Sequence, residues 1–241
     1  MQKSNTGMRS GQSGKAKYAY FKNLDYGEVS EIERFIQTYQ QRVIIDLNSN
    51  IEKYFGEELD SCMALDYGHS TPGTRTETGQ LEYEAKYQGN DEASESLAKM
   101  LARAAFEIPF RAHSTVTRCI TYIPPTEDKD FHLPRDLAHE MRSQISNPFF
   151  KEDVVDATLT IDKESLKNAS LEAKVEIWQE IVEADAVELK QDVNGKLVYV
   201  VDDLYQSGVT MWSYAKYLKK QGAHAVFGLP CVKSLRDSDN Q

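Results

Sequence analysis

The stretch Leu197-Val198-Tyr199-Val200-Val201-Asp202-Asp203-Leu204-Tyr205-Gln206-Ser207-Gly208-Val209-Thr210 constrains this chain more than any other. Five apolar or aromatic residues in a row have no period-2 alternation, which suits a strand buried on both faces, as in a parallel sheet covered by helices. Two carboxylates stand where such a strand leaves the sheet, and a short Ser/Gly/Thr loop leads to the next helix. Open α/β sheets bind ligands beyond the carboxyl ends of their strands, and a loop entering a helix offers free backbone N–H groups to a phosphate.

The rest of the chain supplies the partners for such a strand. Ser114 to Pro125 reads as a strand that breaks at Pro124-Pro125, and a helix starts near Pro134 with Leu137, Ala138 and Met141 on one face. Asp153 to Ile161 alternates as a strand. Ser170 caps a helix carrying Val175, Ile177 or Trp178, Ile181 and Val182. Asn194-Gly195 turns into the opening strand, a helix after Thr210 stops at Gly222, and Ala225 to Val232 is the last strand. Strands alternating with helices predict an α/β fold with a parallel sheet from about residue 112 onward.

The first half reads differently. Residues 1–17 are rich in Ser, Gly, Asn and Gln and carry Lys3, Arg9, Lys15 and Lys17 with no acid, which predicts a disordered basic tail. Contact of this arm with nucleic acid is left open. Gly11-Gln12-Ser13-Gly14-Lys15 is no phosphate loop, because Arg9 and Ala16 stand where Gly and Ser/Thr belong. From Val29 to Phe55 apolar residues recur every three or four positions, predicting one amphipathic helix about 40 Å long, or two in line, docked on the domain or on a protein partner. A further helix is expected from about Asp91, with Leu97, Met100, Leu101, Ala104 and Ala105 on one face.

The net charge of −10 excludes nucleic-acid binding by the surface as a whole. No apolar run approaches the roughly 20 residues of a membrane span. Cys62, Cys119 and Cys231 are far apart and form no Cys-x-x-Cys pair, so they read as buried reduced thiols of a cytoplasmic protein. Five histidines lack metal-site spacing, and Trp178 and Trp212 read as helix-face core.

Val200 to Thr210 closely resembles the phosphoribosyl-pyrophosphate (PRPP) signature of type I phosphoribosyltransferases. Upstream, the order of Tyr67-Gly68, a polar loop, Lys86-Tyr87-x-Gly89 and an Ala/Leu helix resembles the ComF-like branch. The zinc-ribbon cysteines with which ComF proteins usually open are absent. The resemblance implies a type I phosphoribosyltransferase core at 112–241 behind an N-terminal long helix and hood at 18–111. It implies transfer of ribose 5-phosphate from PRPP to a small nitrogenous acceptor, with Mg²⁺ and loss of pyrophosphate. Asp202 and Asp203 then take the ribose hydroxyls, directly or through magnesium-bound water. Gln206, Ser207, Gly208, Val209 and Thr210 hold the 5′-phosphate, and Pro125, Thr126 and Lys129 the pyrophosphate. Arg75, Lys86, Lys163, Lys167, Lys233 and Arg236 are candidates for the leaving-group side or the hood. The habits of the fold imply a homodimer. Two other readings stay open: a regulatory module that senses PRPP or a nucleotide without turnover, and an effector subunit of a multi-protein bacterial defence system.

Overall fold

The computed structural model describes residues 8–13, 16–21, 42–45, 52–56, 58–107, 116–125, 131–150, 153–160 and 170–235. The first half contributes strands β1 (Met8–Ser13), β2 (Ala16–Phe21), β3 (Val43–Ile44), β4 (Ser61–Ala64), β5 (Asp66–Tyr67), β6 (His69–Thr71) and β7 (Thr74–Arg75). Its helices are α1 (Glu52–Phe55), α2 (Glu77–Gln88) and α3 (Asp91–Glu107). The second half runs β8 (Arg118–Tyr122), α4 (Leu133–Ser143), β9 (Ala157–Leu159), α5 (Leu171–Glu183), β10 (Val187–Leu189), β11 (Leu197–Tyr205), α6 (Val209–Lys220) and β12 (Ala225–Lys233).

The main sheet has the order β3-β4-β12-β11-β8, with β5 also on β12. All its pairings are parallel except that of β3 with β4. β11 lies between β12 and β8, so its apolar run is buried on both faces as expected. Leu197, Tyr199 and Val201 join a core with Leu97, Leu101, Leu137 and Met141 of α3 and α4. Val198 and Val200 face Val175, Trp178, Ile181 and Trp212 of α5 and α6. Full burial of each such side chain contributes about 1.5–3 kcal/mol, which anchors β11 at the centre of the three layers. All three cysteines are buried free thiols.

Ser170 caps α5 as predicted, its Oγ accepting from the Ala173 N–H at 3.2 Å. We expect Ser170→Ala to lower the unfolding free energy by about 1 kcal/mol in chemical denaturation. A neutral result removes the cap from the account of this helix.

Several expectations are corrected. The stretch 29–55 is not one helix, because Val43 and Ile44 form a strand on Ala64 and Met63, and Ile45 N–H donates to the Cys62 carbonyl at 3.0 Å. Val43-Ile44-Ile45 is a run of β-branched residues, stiff at χ1, which favours a pleated partner over a helical one. A nearly buried ion pair from Arg42 Nε to Glu107 Oε2, at 3.1 Å, fixes this strand to the end of α3. The remainder of 29–55, with the partner surface assigned to it, lies outside the described residues apart from α1. Where a disordered tail was expected, β1 and β2 pair as an antiparallel hairpin. The main sheet is not confined to residues after 112, since β4 and β5 belong to it. The strand expected over 153–161 shortens to β9, which pairs with β10 outside the main sheet. Val155 N–H makes one bond to the Ile120 carbonyl of β8, at 2.8 Å, before the chain turns away.

Candidate active site

β11 outlasts its neighbour on one side. Val201, opposite Tyr122, is its last residue in register with β8, and Ile123 N–H still reaches the Val201 carbonyl at 3.1 Å. On the other side Asp202 faces Pro230, which has no N–H to give. Strand alternation then sends the two acids to opposite faces of the sheet. Asp202 shares the face of Val198 and Val200, and Asp203 that of Tyr199 and Val201, the side covered by α2 and α3.

Lys86 in the last turn of α2 meets the acidic pair. Its Nζ lies 2.5 Å from Asp203 Oδ2 and 3.8 Å from Glu82 Oε1. Burial works against the Lys86 ammonium, but the Asp203 carboxylate, with Glu82 behind it, outweighs burial and holds its pKa above the ordinary lysine value. Asp202 accepts from the Asp203 N–H at 2.9 Å. That bond does not offset the burial of Asp202 and the repulsion of its neighbour Asp203, which together push its pKa well above the carboxylate range. Glu82 is also raised, by burial first, against the pull of Lys86. Asp203 and Glu82 thus flank the Lys86 ammonium, with Asp202 next to Asp203 on the other face of β11.

A backbone contact sets the position of α2. Thr76 caps the helix by accepting from Gly79 N–H at 2.9 Å, and its hydroxyl donates to the Tyr67 carbonyl at 2.5 Å. A Cβ on Gly79 would fall 1.9 Å from the Gly68 carbonyl oxygen, so only glycine allows this approach. Gly68 N–H in turn donates to the Lys233 carbonyl at 2.9 Å, tying α2 to the end of β12.

The loop after β11 turns at Gly208, whose φ of +87° is left-handed. A Cβ there would also strike the Tyr205 hydroxyl at 2.2 Å. α6 starts immediately after it, and no side chain caps its first turn. The nearest side-chain acceptor, Ser207 Oγ, lies 3.5 Å from Val209 N, the limit of a hydrogen bond. Gln206 is exposed, Ser207, Gly208 and Val209 are buried, and Thr210 is half-buried. Uncapped N–H groups at the start of a helix are an anion site in waiting.

Among the sequence candidates, the structure brings Lys86 to Asp203, and the 206–210 loop follows directly on β11. Pro125, half-buried, lies two residues beyond the Ile123–Val201 bond. Lys233 ends β12 in register with Tyr205, its Nζ donating to the Ser234 carbonyl at 3.4 Å. Arg75 is exposed, with its guanidinium 4.0 Å over the Tyr83 ring, and its charge acts on Glu82. Thr126, Lys129, Lys163, Lys167 and Arg236 lie outside the described residues.

No protein-family model matches the sequence, and no curated protein matches it. Among solved structures it is similar to a hypoxanthine-guanine phosphoribosyltransferase from Bacillus anthracis, at 15% identity and a TM-score of 0.37, over 61% of this chain and 73% of that one. A hypoxanthine phosphoribosyltransferase from Staphylococcus aureus is similar at 12% identity and a TM-score of 0.34, over 61% and 76%. One from Trypanosoma cruzi is similar at 10% identity and 0.33, over 68% of each chain. The α/β class assigned to this chain rests on its own strand order.

Two residues at this site escaped the sequence reading. Glu82 was legible through its i,i+4 spacing to Lys86. His132 was legible as a cap two residues before Pro134, a position read only as loop.

Proposed function

We propose that this chain is a phosphoribosyltransferase that takes PRPP, with Mg²⁺, and transfers ribose 5-phosphate to a nitrogenous acceptor. The observation that carries the reading is one continuous segment: an acidic pair at the end of the central strand, a tight glycine loop and an uncapped helix start. This is the segment whose sequence resembles the PRPP signature, and its geometry suits that ligand at both ends. N–H groups from Ser207 to Thr210, with the Thr210 hydroxyl, would hold the 5′-phosphate at about 1.5–3 kcal/mol per charge-assisted bond. Asp202 and Asp203 would take the ribose hydroxyls.

In the transfer, pyrophosphate leaves C1′ with the electron pair of the C–O bond, and the acceptor nitrogen forms the new bond and loses a proton. Positive charge grows on the ring as the bond breaks. The Asp203 carboxylate, with the acidic groups of Asp202 and Glu82 beside it, favours that charge.

The donor set also fits a hard divalent cation. Two carboxylates are too few to cage one, and Mg²⁺ is commonly held by one or two carboxylates together with substrate phosphates and water. Asp202 and Asp203 would hold it, and when bound it would neutralise charge on the leaving pyrophosphate. An excess of acids repels a bare polyphosphate, so binding should require the cation.

Thermal unfolding with PRPP and Mg²⁺ tests the site, and pyrophosphate release over a panel of nitrogenous bases tests the chemistry. The expected result is stabilisation by PRPP that is lost in Asp203→Asn and Thr210→Ala, with pyrophosphate released for one acceptor class. Unchanged stabilisation in both variants would remove this segment from the donor site. Binding without release for any acceptor would replace the enzyme by a sensor.

A further inference from the structure

His132 is the N-cap of α4, and its place in the cap determines which ring nitrogen carries the proton. Pro134 has no N–H, so the first donor the cap can satisfy is that of Arg135, which lies 3.3 Å from His132 Nδ1. An Nδ1 that accepts is unprotonated. The neutral ring therefore keeps its hydrogen on Nε2.

Nε2 makes no hydrogen bond among the described residues, and the residue is half-buried. It packs against Tyr122, the last residue of β8, with ring centroids 5.7 Å apart. Burial, with Arg135 acting in the same direction, pushes the imidazole down to about 4, so the ring is neutral at physiological pH. Tyr122 lies in register with Val201, the residue before Asp202, which puts the ring on the β8 side of the acidic pair, where Asp203 and Lys86 bias its charge in opposite directions. His132 therefore shares the electrostatic environment of the acidic pair, approached from the β8 side, while the α6 start approaches from the loop that follows β11.

We propose that His132 is a ligand-binding residue of the crevice, its Nδ1 committed to the α4 cap and its Nε2–H donating to an anionic oxygen of the pyrophosphate group of PRPP. The inference rests on the proposed function. A neutral donor suits this place because it can bind the leaving group without adding positive charge beside the ribose carbon, where positive charge develops.

Two substitutions separate the cap from the donor. Asparagine is among the best N-cap residues and places an acceptor where Nδ1 stands, but it has nothing at the position of Nε2. Glutamine reaches that position with an N–H and gives up the cap. His132→Asn should melt with the wild type when ligand-free and bind PRPP–Mg²⁺ about tenfold or more weakly in calorimetry, as expected for one lost hydrogen bond to a charged group. His132→Gln should melt lower and keep more of the affinity. Nitrogen-15 spectra of the wild-type imidazole should show the Nε2–H tautomer at pH 7, a readout that needs neither a variant nor a ligand. Equal affinity of wild type and His132→Asn, or an Nδ1–H tautomer, overturns this inference and leaves the PRPP reading standing. Failure of the wild type to bind PRPP or inorganic pyrophosphate in the presence of Mg²⁺ overturns both.

Discussion

Asp202→Asn is expected to raise the melting temperature of the ligand-free protein while weakening its response to PRPP and Mg²⁺. Burial and the neighbouring Asp203 raise the folded pKa of Asp202 above its unfolded value. The sign of the pH dependence follows by linkage. Below the unfolded carboxyl range, about 3.9, Asp202 is protonated in both states and costs nothing. As the pH rises toward the folded pKa, the unfolded chain ionises while the native state does not, and stability from this group declines. Above the folded value the full cost of a half-buried, crowded carboxylate is in place. Asparagine removes that cost and retains an oxygen to accept the Asp203 N–H. The gain in melting temperature should therefore grow as the pH is raised from about 4, each kcal/mol appearing as roughly 2–4 °C for a chain of this size. Calorimetric scans at pH 4, 6 and 8 check it, and a variant less stable than wild type at pH 8 contradicts the account. Loss of a charged contact should weaken PRPP binding by about tenfold or more, so stability and binding move in opposite directions.

Gly79→Ala is expected to destabilise the protein, although alanine in place of glycine within a helix ordinarily stabilises by about 1 kcal/mol. The new methyl would lie 1.9 Å from the Gly68 carbonyl oxygen and 2.7 Å from its carbon, both backbone atoms that cannot rotate away. Relief requires α2 to lift from β5, at an overpacking cost of about 1–3 kcal/mol. The same movement draws Lys86 away from Asp203, so PRPP affinity should fall along with stability. Urea denaturation and a PRPP titration of the variant test both parts. A stability gain of the usual helical size would mean that the close approach does not constrain the protein.

The donor half of the site was legible because its physics is local. A strand buried on both faces, an acidic pair and a glycine loop are consecutive in sequence, and β11, the loop and α6 fall where the pattern places them. α2 was not legible as a helix. Its buried positions are Thr78, Gly79 and Ala85, small residues that admit backbone contact rather than forming an apolar stripe. β3 was misread for the opposite reason: Val43 fits a helical period, but pairing of Val43 and Ile44 with Ala64 and Met63 across the sheet edge decides their state. His132 was passed over because the pattern that makes it a cap says nothing of Asp203, some 70 residues away.

The pairing of β4 with β12 has a consequence for how the molecule forms. Ser61 lies in register with Phe227, and the Asp60 carboxylate accepts from the Val226 N–H across 166 residues of chain. β5 and Gly68 reach β12 in the same way, and they carry α2 with them. Such distant partners must be brought together against the entropy of closing a long loop, which places this protein among slow folders. During synthesis, β4 and β5 emerge long before the strand they need. Lys86 can therefore settle against Asp203 only after β12 has been made and β4 and β5 have paired with it.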